Sequence, residues 1–287
     1  MKKIAIALLR PIRLLLNLLS FLQSIFFLVM CFHKDTRMKE LLLLNLKELV
    51  AILSSKSNLT KTVSDSEAIY QEYGDREIIS YYKDADFCLV NNQLTIVSVR
   101  EQRLTHLAYI YEEIDRLLLL KDIVKIIEVG CGNCLNIIEI LEKYGSKVEV
   151  HGIDVTSGRI EVAKHYFKEK LAPAKLTITS ITTQTQYADN EFDLVYSMFC
   201  LEQIAYEAHA AVREMYRITS GKVVMLEPVF ENGTVLQKTY LMVADHTRIL
   251  LKSILEQKLP LVKNEILNLQ FNPCNQSSIL VIDKNQH

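Results

Sequence analysis

Apolar positions along the chain fall into three regimes. From Leu14 to Phe32 nineteen residues carry no charge, a length at the border of a membrane-spanning helix. From the amino end into this stretch, Lys3, Ala7, Arg10, Arg13, Asn17, Ser20 and Ser24 recur every three or four residues. That spacing puts them on one narrow helical stripe, with Leu, Ile and Phe over the rest. A second apolar helix is expected over 38–54, after a polar link at His33–Arg37. The second regime follows the linker Ser54–Asn58. It predicts a helix over Glu67–Tyr82 broken at Gly74, with Tyr70, Tyr73, Tyr81 and Tyr82 as an aromatic cluster. A hairpin follows over Phe87–Val99, turning at Asn91-Asn92, and then a helix over Val99–Leu120. Its Arg100 and Arg103 could meet an anionic substrate, with a solvated face as the default expectation.

From residue 122 short β-branched runs alternate with helical ones. Strands are expected at Val124–Val129, Val148–Val155, Lys175–Thr182, from Asp193, and at Lys222–Pro228. A helix over Leu236–Lys258 and two closing strands, Val262–Phe271 and Ser278–Asp283, complete the pattern. Strand–helix alternation of this kind builds an α/β fold around a parallel sheet.

Composition changes the picture in three places. With 287 residues and 49% hydrophobic content the chain can bury a sizeable core. A net charge of −1 gives no ground for a nucleic-acid partner. The charge is uneven, however: residues 1–40 hold seven basic and two acidic side chains. A basic, apolar helix of this kind lies in a membrane interface, with its charges toward an anionic leaflet. A single span, a helical hairpin and ordinary core packing are the alternatives. A span with its basic flank at the amino end would leave the rest of the chain outside. The in-plane reading keeps it cytoplasmic, at the inner face of a membrane. Six scattered cysteines suggest reduced thiols. Cys131-x-x-Cys134 has no second Cys/His pair at zinc-like spacing, so no metal site is expected.

The chemistry concentrates in Ile126-Ile127-Glu128-Val129-Gly130-Cys131-Gly132-Asn133-Cys134-Leu135-Asn136. It reads as a strand, a glycine turn and a helix, which lets backbone approach a nucleotide-like ligand closely. With Glu128 two residues before the first glycine, it resembles the first motif of the class I S-adenosylmethionine-dependent methyltransferases. Four further segments match that family in order. Val148–Val155 ends in Asp154, 24 residues after Gly130; two carboxylate oxygens there suit a vicinal ribose diol, and Val155 would pack against adenine. At the end of the third strand the family's acidic residue is replaced by Ile181, leaving Thr182, Thr183 or backbone for the adenine edge. Tyr187–Ile204 is similar to the family's "PDNSFDLV…LEHI" stretch, with Gln203 where a histidine is frequent. Ala210–Val229 is similar to "EMYRVLKPGG" and the fifth strand. A dinucleotide fold would need a third small residue at Leu135.

The resemblance implies a Rossmann-like, seven-stranded, mostly parallel sheet of order 3-2-1-4-5-7-6 with helices on both faces. Together with the apolar pattern it divides the chain into three regions: an apolar helical segment, membrane-associating or a hairpin (1–54), a helical cap or substrate region (55–121) and a cofactor-binding domain (122–287). S-adenosylmethionine would be held by Glu128, Gly130, Cys131, Gly132, Asp154, Val155, Thr182 and Ser197. The acceptor would be a small molecule or a lipid-linked compound, as in the quinone methyltransferase branch. Glu227, His246 and Glu202 are the candidate bases, and Thr156 or Ser157 the candidate helix cap. The other class is a non-catalytic, membrane-recruited protein that keeps the cofactor fold.

Overall fold

The structure, a computed structural model, describes residues 74–286 apart from 91–92, 205, 244–245, 268 and 271–275. The expectations for residues 1–54, the linker, and Tyr70 and Tyr73 lie outside the described residues. Strand β3 (Val124–Val129) is apolar on both faces, and the sheet is built outward from it. Ile126 packs into one core layer and Ile127 into the other, both fully buried. Each contributes about 1.5–3 kcal/mol by leaving water. A strand covered on both faces requires helices on both sides.

The described chain opens with helix α1 (74–83). The hairpin β1 (Ala85–Val90) and β2 (Gln93–Ser98) follows, in antiparallel register with its link at the expected 91–92. Helix α2 (Val99–Leu118) starts at a capping box: Ser98 Oγ accepts from the Glu101 N–H, and the Glu101 carboxylate accepts from the Ser98 N–H. After β3 come α3 (Leu135–Tyr144), β4 (Val148–Asp154), α4 (Ser157–Phe167), β5 (Lys175–Ile178) and β6 (Phe192–Met198). A short 3-10 turn (Leu201–Ile204), α5 (Ala208–Ile218) and β7 (Thr219–Glu227) lead to α6 (Val235–Val243) and α7 (Leu250–Glu256). Strands β8 (Leu261–Ile266), β9 (Leu269–Gln270) and β10 (Ser278–Asp283) close the chain.

Seven strands pair in the order β5-β4-β3-β6-β7-β10-β8, which is the expected 3-2-1-4-5-7-6. β10 alone runs opposite to the other six strands of this sheet. Helices α2, α3 and α4 cover one face, and α5 and α7 the other. Among the described residues no helix is long and apolar enough to cross a membrane.

Four expectations are corrected. The third strand ends at Ile178, not Thr182, because Ser180 and Thr182 bond each other and the local backbone instead of a ladder. The helix expected over 236–258 is two helices. Between them the Thr247 N–H donates to the Glu202 carbonyl (2.7 Å) and Thr247 Oγ1 to the Leu201 carbonyl (2.6 Å), so tertiary bonds replace helical ones. The run expected as one strand over 262–271 divides, and β9 leaves the main sheet to pair with β1. Thr156 stands at the N-cap of α4, yet its side chain makes no cap bond; its N–H goes to Asp154 Oδ1.

Candidate functional site

The parallel strands end together, and their carboxyl ends carry the residues singled out in the sequence. At the tip of β3 the chain turns through Gly130 (φ +74°) and Gly132 (φ +48°), in the left-handed region where a Cβ is strained. Space is as restrictive as conformation. A Cβ at Gly130 would lie 2.1 Å from Cys200 Sγ, and one at Gly132 would lie 2.6 Å from Arg159 Cζ. Asp154, at the tip of β4, clasps the turn from the side: Oδ2 accepts from the Gly132 N–H (2.9 Å) and Oδ1 from the Thr156 N–H (2.8 Å). Each oxygen keeps a lone pair for a ligand hydroxyl. Val155 beside it is 66% exposed, an apolar side chain presented at the mouth.

Glu128 lies beneath the turn rather than on it. Its carboxylate is buried and accepts from Asn136 Nδ2 (2.5 Å) and Tyr196 Oη (3.2 Å). Burial pushes its pKa up to about 7, against the pull of those two donors. Its role is to tie the turn to α3 and β6. Cys131 is buried too, with its Sγ 4.0 Å from Cys134 Sγ, and no metal-ligating cluster occurs among the described residues. Thr182 sits in the turn after β5, bonded to Ser180.

The other half of the mouth is organised by Glu227 at the tip of β7. Glu227, one of the candidate bases, is completely buried. Its Oε1 accepts from Ser197 Oγ (2.9 Å) and from the N–H groups of Cys200 and Leu201 (3.2 Å each). Its Oε2 faces the Glu202 N–H at 3.4 Å. Burial first, and Glu202 second, push its pKa up to about 8. Ser197 is likewise wholly buried and spends its hydroxyl on Glu227, so it acts on the loop and not at the mouth. Glu202 and His246 come together: His246 Nδ1 lies 3.8 Å from Glu202 Oε2, and its ring meets the edge of Tyr240. The three candidate bases therefore form one cluster, of which His246 is the most exposed side chain.

The sequence reading missed the polar group above the turn. Glu77 of α1 accepts from Arg103 of α2, from Arg159 of α4 and from Asn133 of the glycine turn. It also missed how α1 is docked. Tyr81 Oη donates to Glu139 of α3 (2.7 Å), and Arg100 forks onto the same carboxylate at 2.7 and 2.9 Å. Arg100 and Arg103 thus hold acidic partners where a solvated face was expected. No local pattern marks Glu77, because its partners lie 26 to 82 residues away. A groove of about 410 Å³ lined by Tyr109, Glu113, Arg116 and Lys222 lies toward the amino end of β7, away from these residues.

Comparisons with known proteins point the same way. Residues 126–221 match the family model described as "Methyltransferase domain". A demethylmenaquinone methyltransferase of Geobacillus sp. (strain WCH70) is 34% identical over 106 residues, which is 36% of this chain. The match spans 44% of that relative's length. Among solved structures, the cyclase SpnF has a TM-score of 0.56 at 16% identity, covering 78% of this chain and 97% of its own. Magnesium protoporphyrin IX methyltransferase from Synechocystis PCC 6803, with S-adenosylhomocysteine bound, has a TM-score of 0.53 at 13% identity. It covers 78% of this chain and 100% of its own. At such identities the solved structures speak for the fold. Residues 126–221 are thus similar to a methyltransferase domain, and they lie within a Rossmann-like seven-stranded sheet.

Proposed function

We propose that the chain is an S-adenosylmethionine-dependent methyltransferase acting on a small, apolar acceptor, lipid-linked and met at a membrane surface. The observation that carries the reading is the positive-φ glycine turn clasped by Asp154. When bound, the donor supplies a methyl group already activated on a sulfonium. The chain then has to position and desolvate. Gly130, Cys131 and Gly132 offer backbone to the donor, Asp154 its carboxylate to the ribose, and Val155 and Thr182 the adenine surroundings. Glu128, Ser197 and Glu227 act one layer further in, holding the turn and the loop after β6.

On the acceptor side His246 takes a proton where the acceptor must lose one. Glu202 faces its Nδ1 side. Tyr206, Val235, Tyr240 and Met242 expose apolar surface on the segments around it, which supports an apolar acceptor. The name of the quinone-methylating relative fits the same chemistry. In this reading residues 1–54 bring the enzyme to the cytoplasmic face of a membrane, 55–121 form the cap and 122–287 the catalytic domain.

The test is calorimetry with S-adenosylmethionine and S-adenosylhomocysteine, followed by labelled donor with a lipid extract. Both cofactor forms should bind and label should enter the lipid fraction. Binding of neither overturns the enzyme, and label confined to water-soluble compounds overturns the lipid-linked acceptor. Full-length protein wholly soluble without detergent, alongside an equally soluble truncation starting at Ser55, overturns the membrane role.

A further inference from the structure

Four polar side chains from four segments meet on the glycine turn. Glu77 reaches down from α1. Its Oε1 accepts from Arg103 Nη2 at 2.9 Å. Its Oε2 accepts from Asn133 Nδ2 at 2.7 Å and from Arg159 Nη2. Glu77, Arg103 and Arg159 are all about one-fifth to one-quarter exposed, so their charges are only partly screened. The Arg159 guanidinium lies against the turn itself, within 2.6–2.9 Å of where a Gly132 Cβ would stand. Two guanidinium groups and a side-chain amide thus converge on a single carboxylate, at the backbone assigned above to the donor.

A planar guanidinium is the side chain best matched to a carboxylate, and two of them define a receptor for one. Glu77 is not needed to hold α1 in place. Tyr81 bonds to Glu139, and Ile78 and Tyr81 are buried against Leu135 and Val162. The carboxylate of Glu77 is therefore a replaceable partner for the two arginines, on a helix anchored by other contacts.

We infer that Arg159 and Arg103 are the receptor for the carboxylate at the amino-acid end of the donor, and that Glu77 competes for the same two cations. The inference rests on the methyltransferase reading and goes beyond it by assigning the residues that distinguish an amino-acid-bearing nucleoside from a bare one. It also makes α1 responsive to the donor. A ligand carboxylate that takes the guanidinium groups leaves Glu77 beside a like charge, so α1 loses its polar ties to Arg103 and Arg159 together.

Calorimetry on the full chain tests this with two ligands. S-adenosylhomocysteine carries the amino-acid carboxylate, and 5′-methylthioadenosine lacks it. Arg159→Gln should weaken S-adenosylhomocysteine about tenfold more than it weakens methylthioadenosine, the loss of one charge-assisted pair. Glu77→Gln, which removes the competitor and keeps the shape, should tighten S-adenosylhomocysteine about threefold or more. An unchanged ligand ratio in Arg159→Gln, or weaker S-adenosylhomocysteine binding in Glu77→Gln, overturns the inference. Should Arg159→Gln not fold, Glu77→Gln decides alone. A wild type that binds neither ligand overturns the methyltransferase reading and this inference with it. A wild type that binds both, with variants that fail these expectations, overturns only the inference.

Discussion

The two halves of the sheet's carboxyl edge are built by opposite means. Between β3 and β4 the site is made of backbone: two glycines at positive φ, with one aspartate accepting the Gly132 and Thr156 N–H groups. Its essential residues lie within 25 positions of one another. Between β6 and β7 the site is made of side chains drawn from distant segments. Glu227 holds the loop after β6, 25 to 30 residues away, and Thr247 pins that loop to the segment between α6 and α7. A site made of backbone is tied to residue types that no substitution reproduces. One made of side chains is tied only to shape and charge, which many combinations supply.

Gly130 belongs to both halves and gives the largest expected effect. Gly130→Val adds strain at φ +74° and drives a side chain into Cys200, 2.1 Å from the new Cβ. A loss of at least about 3 kcal/mol is expected, with loss of donor binding, because neither backbone nor neighbour can yield cheaply. Thermal unfolding of Gly130→Val, and of Gly130→Ala paired with Cys200→Gly, separates the two causes. The pair should relieve the clash but retain about 1–2 kcal/mol of conformational strain. A single variant that unfolds within a degree or two of wild type would show that the halves do not meet at this point.

Glu227 is the test of the side-chain half, through pH. A buried carboxyl with its pKa raised to about 8 keeps its proton in the fold, while the unfolded chain ionises near the ordinary value of 4.5. The stabilisation is whole below about pH 4.5 and is lost as pH rises toward 8. Gln cannot ionise, and its amide oxygen can still accept from Ser197, Cys200 and Leu201. Glu227→Gln should therefore be close to wild type at pH 5 and gain on it progressively, by about 2–4 kcal/mol at pH 8. Part of the decline persists in the variant, because Glu128 is pushed up to about 7 by the same physics. Parallel profiles of melting temperature against pH for the two proteins would mean that Glu227 is ionised throughout. Its four donors would then outweigh its burial.

The contrast also explains what could be read from the sequence. The strand positions and the glycine turn were legible because each rests on residues adjacent in the chain, whereas the strand order and the part expected of Asp154 came from the family resemblance. Alternating apolar runs name strands, and glycine beside an apolar strand end names a turn. Two misreadings and one burial share one cause. The β5 boundary was set by Ser180 and Thr182 bonding each other, the α6–α7 break by Thr247 reaching Leu201 and Glu202, and the burial of Glu227 by a loop folding over it. In each, a polar side chain chose a partner that periodicity does not see. Glu77 is the extreme case: a charged residue on an amphipathic helix is indistinguishable by pattern from a solvated one, and here it meets two arginines.

The smallest effects draw the line between the halves most cleanly. Asp154→Asn leaves one acceptor oxygen for two N–H groups and puts an amide where the other was. The expected loss is about 1–2 kcal/mol, or roughly tenfold in S-adenosylhomocysteine affinity, with turnover at saturating donor nearly unchanged. His246→Ala should do the reverse. It touches no residue of the glycine turn, so cofactor affinity should stay within about twofold, while kcat for an acceptor that must lose a proton falls about a hundredfold. Measured together, the two variants ask whether binding the donor and activating the acceptor are separable. A turnover defect in Asp154→Asn at saturating donor, or a cofactor defect in His246→Ala, would mean that the loop after β6 transmits between them. Cys200 against Gly130 is the contact through which it would do so. In that event, a residue that looks like packing would be the coupling element of the site.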